Sequence, residues 1–438
     1  MAGPITPILL LKNNFYGDII MANKLIGNAV VGQSGGPTAA INATLAGVID
    51  GAFAHSDVIP KLYGMRNGIE GFIGERLCDL TALFSDENGD LNRDLLHVLT
   101  DTPAAALGSC RKKLPKPADD PAFFENLIAL FKKYDIRYFF YIGGNDSMDT
   151  VAKLTEYLKT SDYEMRVMGV PKTIDNDLAG TDHTPGFGSA AKYIASTMQE
   201  IVRDCAVYTT KAVTIVEIMG RDAGWLTASA GLANLVNGGG PDYLYLPEVA
   251  FDLESFFADI EKAFEKHPNI VIGVSEGIRF ADGRYVGEGA QSGSTDAFGH
   301  KYLSGTGKEL EYAVKDKFGC KVRSIELNLP QRCAAHLASD TDLTESHTCG
   351  RTAMDAAVSG KTGCMVAMIR EDGEEYKLRY ETSEIAKIAN AVRSVPREFI
   401  NEAGSNVTEE CLNWILPLIQ GEADIVYKNG LPVHFVID

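Results

Sequence analysis

Short apolar runs alternate with longer stretches whose apolar residues recur every three or four positions, and this exchange continues through most of the chain. Runs at 26–32, 58–63, 136–142 and 165–170 are bounded by glycine or polar turns, which predicts buried strands. The intervening stretches 39–53, 121–133 and 148–158 predict helices. The same exchange resumes later, with predicted strands at 213–219, 243–248 and 269–274. Predicted helices there cover 188–202, 226–235, 253–267 (which Asp252 can cap) and 341–358. Segments 363–369 and 375–380 predict a hairpin, 64–72 a glycine-rich loop, and 281–307 a Gly/Ser-rich excursion. The closing stretches 411–420 and 422–436 carry apolar positions and are expected to pack against the body. Strand and helix in alternation imply an α/β protein with mainly parallel sheets, a second α/β unit facing the first.

Where strands give way to helices, the residues change character. Residues 33–38 (Gln-Ser-Gly-Gly-Pro-Thr) and 143–147 (Gly-Gly-Asn-Asp-Ser) each join a strand to a helix through glycines. Backbone N–H groups converge at such a turn and can cradle an anion, although a tight packing turn has the same composition. Neither is GxGxxG, nor a Walker loop ending in Gly-Lys-Ser/Thr. A third junction, Pro171-Lys172-Thr173-Ile174-Asp175-Asn176-Asp177, concentrates acids and a base at a strand end. Asp175 and Asp177 lie two apart and can share one face, one accepting a proton and the other holding hydrated Mg2+. Lys172 can grip a phosphate or act as their internal counterion. Residues 108–113 add Arg111, Lys112 and Lys113, either a phosphate fork or a solvated face. Lone His183 is expected to satisfy local hydrogen bonds rather than to catalyse.

Composition narrows the classes. With 438 residues the chain can bury two or three cores. A net charge of −18, from 59 acidic and 41 basic side chains, argues against a general nucleic-acid or anionic-membrane binder. The 8 cysteines are scattered without CxxC, as free thiols in a reducing compartment are. Neither a zinc spacing nor a run long enough to span a bilayer is found, and residues 7–11 lack a secretory leader's length. Cytoplasm is the expected location.

The ordered set Gly143 to Ser147, Pro171 to Asp177, Met219-Gly220-Arg221 with Gly224-Trp225, Ser275-Glu276-Gly277 and Gln331-Arg332 resembles the 6-phosphofructokinase family, in its pyrophosphate-dependent branch. The resemblance covers roughly residues 28–363. It implies two facing three-layer α/β/α domains. One takes 24–186 plus about 333–384 and binds the donor; the other takes 187–332 plus about 385–438 and binds the sugar phosphate, after an extension at 1–23. It implies phosphoryl transfer to the 1-hydroxyl of fructose 6-phosphate, with Asp175 as base and Thr173 touching the phosphoryl. Asn145 and Asp177 are implied on the Mg2+ side. Gly35, Arg111 and Lys112 would line the donor region, and Arg221 would neutralise the moving charge. Met219, Gly220, Glu276, Arg323 and Arg332 would hold the sugar phosphate.

Donor choice rests on two positions. ATP-using relatives place glycine where this chain has Asp146 and Lys172, so the resemblance implies pyrophosphate as donor and a readily reversible reaction. The alternatives are an ATP-dependent kinase and a catalytically silent phosphate-binding subunit. Leu329 stands where bacterial ATP users carry a sugar-phosphate histidine, and Ala212 where they present an arginine across a subunit boundary; Lys211 is the adjacent cation. A homodimer or higher assembly is implied.

Overall fold

A computed structural model describes residues 25–437, except 238, 291–302, 304 and 389–391. The extension at 1–23 and about half of the excursion at 281–307 therefore lie outside the described residues. The larger sheet has seven strands: β1 (Asn28–Gln33), β2 (Leu62–Met65), β3 (Leu77–Asp79), β4 (Ile136–Gly143), β5 (Arg166–Pro171), β10 (Cys364–Arg370) and β11 (Leu378–Glu384). Their order is β11-β10-β5-β4-β1-β2-β3, parallel except for the two edge strands β3 and β11. The smaller sheet, order β7-β8-β6-β9, is wholly parallel. It is built from β6 (Ala212–Ile218), β7 (Tyr243–Tyr245), β8 (Asn269–Ser275) and β9 (Lys321–Glu326).

Both faces of the large sheet are apolar, as a central parallel sheet requires. Ala29, Val31, Tyr138, Phe140 and Ile142 face one core, shared with the helices Ile41–Ala54 and Asp340–Val358. Val30, Phe139, Tyr141 and Val167 face the other, with helices Pro121–Lys133 and Asn145–Leu158. The small sheet divides likewise: Val213 and Ile215 point to one core, Val216 and Ile218 to the other. The architecture is α/β with helices on both sides of mainly parallel sheets. Helices Ile41–Ala54 and Asp340–Val358 cross at backbone contact, because a Cβ at Gly47 would meet the His347 carbonyl oxygen at 1.9 Å.

Some boundaries move from their expected places. The strand expected at 58–63 lies at Leu62–Met65, after Pro60, which has no N–H for a ladder. The loop expected at 64–72 is instead a strand end and a short helix, Gly68–Ile73, entered through left-handed Asn67 (φ 64). The helix expected at 226–235 is α-helical only over Trp225–Ser229 and continues as 3-10 helix to Leu235. The hairpin forms as β10 and β11, antiparallel, and Asp252 caps its helix by accepting from the Ser255 N–H at 2.8 Å. The tail packs as expected: Phe435 sits 5.2 Å from the Phe84 ring and its N–H donates to Thr102 Oγ1. Among the described residues no helix is long and apolar enough to cross a membrane.

Candidate active site

Parallel strands deliver their C-terminal ends to one edge, and loops leaving that edge meet in a crevice. Strands β1, β4 and β5 end level with one another, Gln33 beside Ile142 and Gly143 beside Pro171. In the small sheet Ile218 ends beside Ser275. The loops from both sheets enclose a cavity of about 450 Å³ lined by Gly35, Arg111, Asn145, Asp146, Lys172, Thr173, Asp175, Asp177, Gly220 and Arg221. Ten of the residues marked in the sequence are thus brought to one place.

Lys172 lines the cavity and is fixed there by two backbone carbonyls. Its backbone N–H donates to the Gly143 carbonyl at 3.1 Å and its Nζ to the Gly36 carbonyl at 2.6 Å. Gly35 has φ +79, and a Cβ there would stand 3.3 Å from Lys172 Nζ. Burial pushes the Lys172 ammonium down to about 8, against the pull of Asp175 and Asp177; Arg111 and Arg332 push the same way as burial. The Asp175 N–H donates to Thr173 Oγ1 at 3.1 Å. Burial raises the Asp175 carboxyl above its usual range, opposed first by Arg221 and then by Lys172. Asp177 is pushed up to about 6, by burial and then by the charge on Asp175.

Between the two acids, Asn176 is left-handed (φ 55) and fully buried, and neither of its side-chain polar atoms has a partner among the described residues. Such a residue persists only where its surroundings fix it, and these features gather at functional sites. Asn145 Nδ2 donates to Asp177 Oδ2 at 3.2 Å, while its Oδ1 is buried without a partner among the described residues. An orphaned amide oxygen beside a carboxylate is a hard-oxygen donor set that suits Mg2+. Among the described residues no three or more His, Cys, Asp or Glu side chains cluster as ligands.

The remaining marked residues fall in three positions. Lys113, rather than Lys112, lines the cavity, and it pairs with Asp146 at 3.4 Å. Arg332 is half-buried beside Gly36, whose Cβ would meet its guanidinium at 3.3 Å. Glu276 is buried behind the cavity wall, where its Oε1 accepts from the Gly220 and Arg221 N–H groups at 3.3 and 3.1 Å. Burial, then the charge on Asp175, pushes it up to about 8. It fixes a turn in which both Gly220 (φ 136) and Arg221 (φ 52) are left-handed. Met219 donates its N–H to Gln331 Oε1 at 3.2 Å.

Arg323 is not at this edge. It pairs in register with Thr214 near the start of β9, whereas Glu276 follows the end of β8, where Ser275 pairs with Ile218. Four residues along the strands separate those levels, about 13 Å at the usual rise. Arg323 lines a small cleft with Ala212, Tyr208 and Lys321 at the opposite edge. Lys211 turns onto the Phe264 ring, 4.8 Å away. His183 is buried between Asp182 (2.9 Å) and Glu345 (2.8 Å), as its expected structural role requires. Asp222, Tyr285 and Val392 also line the cavity, unmarked by sequence reasoning. Adjacency to Arg221 was the available signal for Asp222; Tyr285 and Val392 carried none.

Comparison with known proteins agrees with this geometry. The family model described as phosphofructokinase matches residues 28–357. A pyrophosphate–fructose 6-phosphate 1-phosphotransferase of Halomonas elongata is 41% identical over 407 residues, covering 92% of this chain and 94% of the relative. The enzyme of that name from Methylococcus capsulatus is 38% identical over 413 residues, 94% of this chain and 96% of the relative. The crystal structure of a pyrophosphate-dependent phosphofructokinase from Nitrosospira multiformis superposes with a TM-score of 0.83 at 36% identity, covering 94% of this chain and 96% of that one.

Proposed function

The chain belongs to the phosphofructokinase family, in its pyrophosphate-dependent branch, and on that premise we propose that it passes a phosphoryl group reversibly from pyrophosphate to the 1-hydroxyl of fructose 6-phosphate. Asp175 accepts the hydroxyl proton as the oxygen attacks phosphorus, and the second phosphate leaves. Catalysis of this transfer is chiefly positioning and charge stabilisation. Arg221 and Lys172 flank the proton acceptor and neutralise charge on the moving group and on the leaving phosphate. Thr173 and Arg111 orient the donor, and Asn145 and Asp177 are the residues that hold Mg2+. When bound, the ion neutralises phosphate oxygens during transfer.

The observation that carries the reading is that Asp146 and Lys172 border the same cavity as Asp175. A carboxylate on the donor wall repels a nucleotide's inner phosphate, while an ammonium suits a compact anion such as pyrophosphate. On the acceptor side Gly220, Arg221 and Arg332 are within the neighbourhood of the sugar phosphate. Glu276 acts there through the Gly220–Arg221 turn, and Met219 through its backbone. Arg323, at the other edge of the small sheet, reaches a sugar phosphate only from a second copy, which gives the proposed homodimer or higher assembly a chemical role. The test is direct. Protein supplied with fructose 6-phosphate, Mg2+ and pyrophosphate forms fructose 1,6-bisphosphate and phosphate; absence of product refutes the reading, in favour of an ATP-dependent kinase if ATP gives product and of a silent phosphate-binding subunit if neither donor does.

A further inference from the structure

The Asp175–Asp177 loop leaves the large sheet and the Gly220–Trp225 loop leaves the small one, and among the described residues no strand ladder joins the two sheets. Glu276 braces Arg221 only from within its own sheet, because it follows β8. Something else must set the distance between Arg221 and the two acids. Residues 392–395 lie between the loops and bond to both. The Arg393 N–H donates to the Asp177 carbonyl at 2.9 Å, and Leu178 and Val392 form an antiparallel bridge. On the other side Trp225 Nε1 donates to the Arg393 carbonyl at 3.2 Å. The Arg393 guanidinium lies over the Trp225 and Trp414 rings, at 4.5 and 5.1 Å.

Glu248 closes this arrangement. A single oxygen, Oε1, accepts from the Gly224 N–H at 2.8 Å and from the Val395 N–H at 2.9 Å. The fit leaves no slack: a Cβ at position 224 would lie 2.5 Å from Glu248 Oε2. We propose that Glu248 is a positioning residue, which ties residues 392–395 to the Gly224–Trp225 turn and so holds Arg221 at its working distance from Asp175. This rests on the function proposed above. Glu248 itself does not line the cavity, so it acts through the loops.

The test compares Glu248→Ala, Glu248→Gln and Trp225→Phe in the full chain. Misplacing a charged group by about 1 Å can cost about 100-fold in rate. Glu248→Ala is therefore expected to lower kcat by about 10- to 100-fold, with KM for pyrophosphate within about twofold. Glu248→Gln keeps an oxygen for both N–H groups and is expected to stay within about threefold of the parent. Trp225→Phe, which loses the N–H bond to the Arg393 carbonyl and part of the ring beneath the Arg393 guanidinium but keeps Glu248, falls between. An activity-free readout accompanies these: the chain has 2 tryptophans, Trp225 and Trp414, and both flank Arg393. Their emission shifts to the red in Glu248→Ala and not in Glu248→Gln. Unchanged kcat in a folded Glu248→Ala, or equal losses in the Ala and Gln variants, overturns the proposal. If Glu248→Ala fails to fold, unchanged kcat in Trp225→Phe overturns it instead. If the parent itself shows no turnover, the proposed function fails, and the emission comparison still decides whether Glu248 holds the segment.

Discussion

The wall of the cavity that comes from the large sheet gathers acids, an amide and a lysine at two strand ends, whereas the wall from the small sheet is a left-handed backbone turn carrying Arg221, with Asp222 and Tyr285 beside it. Lys172, Asp175, Asp177, Asn145 and Asp146 all reach the cavity from the first. From the second come Gly220, Arg221, Asp222, Ala223 and Tyr285, while Glu276 Oε1 is turned onto backbone N–H groups behind them. The first wall handles compact, highly charged phosphates, for which fixed charges are the suitable tools. The second is a shaped turn, stabilised from outside the cavity. Damage to the first wall is therefore expected in chemistry and donor binding, and damage to the second in acceptor binding, and in chemistry only as far as it moves Arg221.

The largest effect tests the first wall at its centre. Asp175→Asn keeps shape but cannot accept a proton, so kcat is expected to fall about 1,000-fold with pyrophosphate affinity, measured by calorimetry, largely kept. Lys172→Met comes next, with kcat/KM for pyrophosphate down about 100-fold in steady-state rates. The same residue predicts a pH dependence. Lys172 is cationic below its depressed value of about 8, so kcat/KM for pyrophosphate falls as pH rises through that value. Lys172→Arg stays charged throughout and removes this alkaline limb, at reduced rate because the fork does not match the site.

Smaller effects probe the second wall. Glu276→Ala frees the Gly220 and Arg221 N–H groups and is expected to raise KM for fructose 6-phosphate about tenfold, leaving KM for pyrophosphate within about twofold. Arg323→Ala is expected to raise KM for the sugar phosphate by several-fold, less than Glu276→Ala, again without a change for pyrophosphate. A change in pyrophosphate KM in either variant breaks the division between the walls.

The same division explains what could be read from the sequence. Side chains that act directly announce themselves by type and by family motif, and the loops after β4 and β5 bring Asn145, Asp146, Lys172, Asp175 and Asp177, which the resemblance marks, to one cavity. A backbone wall has no such signature. The resemblance marks Glu276 as holding the sugar phosphate, and the bonds of its Oε1 to its neighbours' N–H groups carry no signal in the sequence. Arg323 looked like part of the same pocket because sequence order is silent about which end of a strand a residue occupies; the register of β9 against β6 decides it. Lys112 and Lys113 are equivalent as letters, and only the path of that loop selects Lys113 as the partner of Asp146. The Glu248 tie was invisible because its partners come from 24 and 147 positions away. The sheet pattern itself was legible, since central parallel strands are continuously apolar; strand edges near Pro60 were not.

The account turns on Asp146 and Lys172 making a pocket for pyrophosphate and not for a nucleotide. Initial rates of fructose 1,6-bisphosphate formation, measured side by side with pyrophosphate and with ATP at equal concentration and saturating Mg2+, test this most directly. The account predicts turnover with pyrophosphate and at least about 100-fold less with ATP. Comparable rates with the two donors, or a faster one with ATP, contradict it.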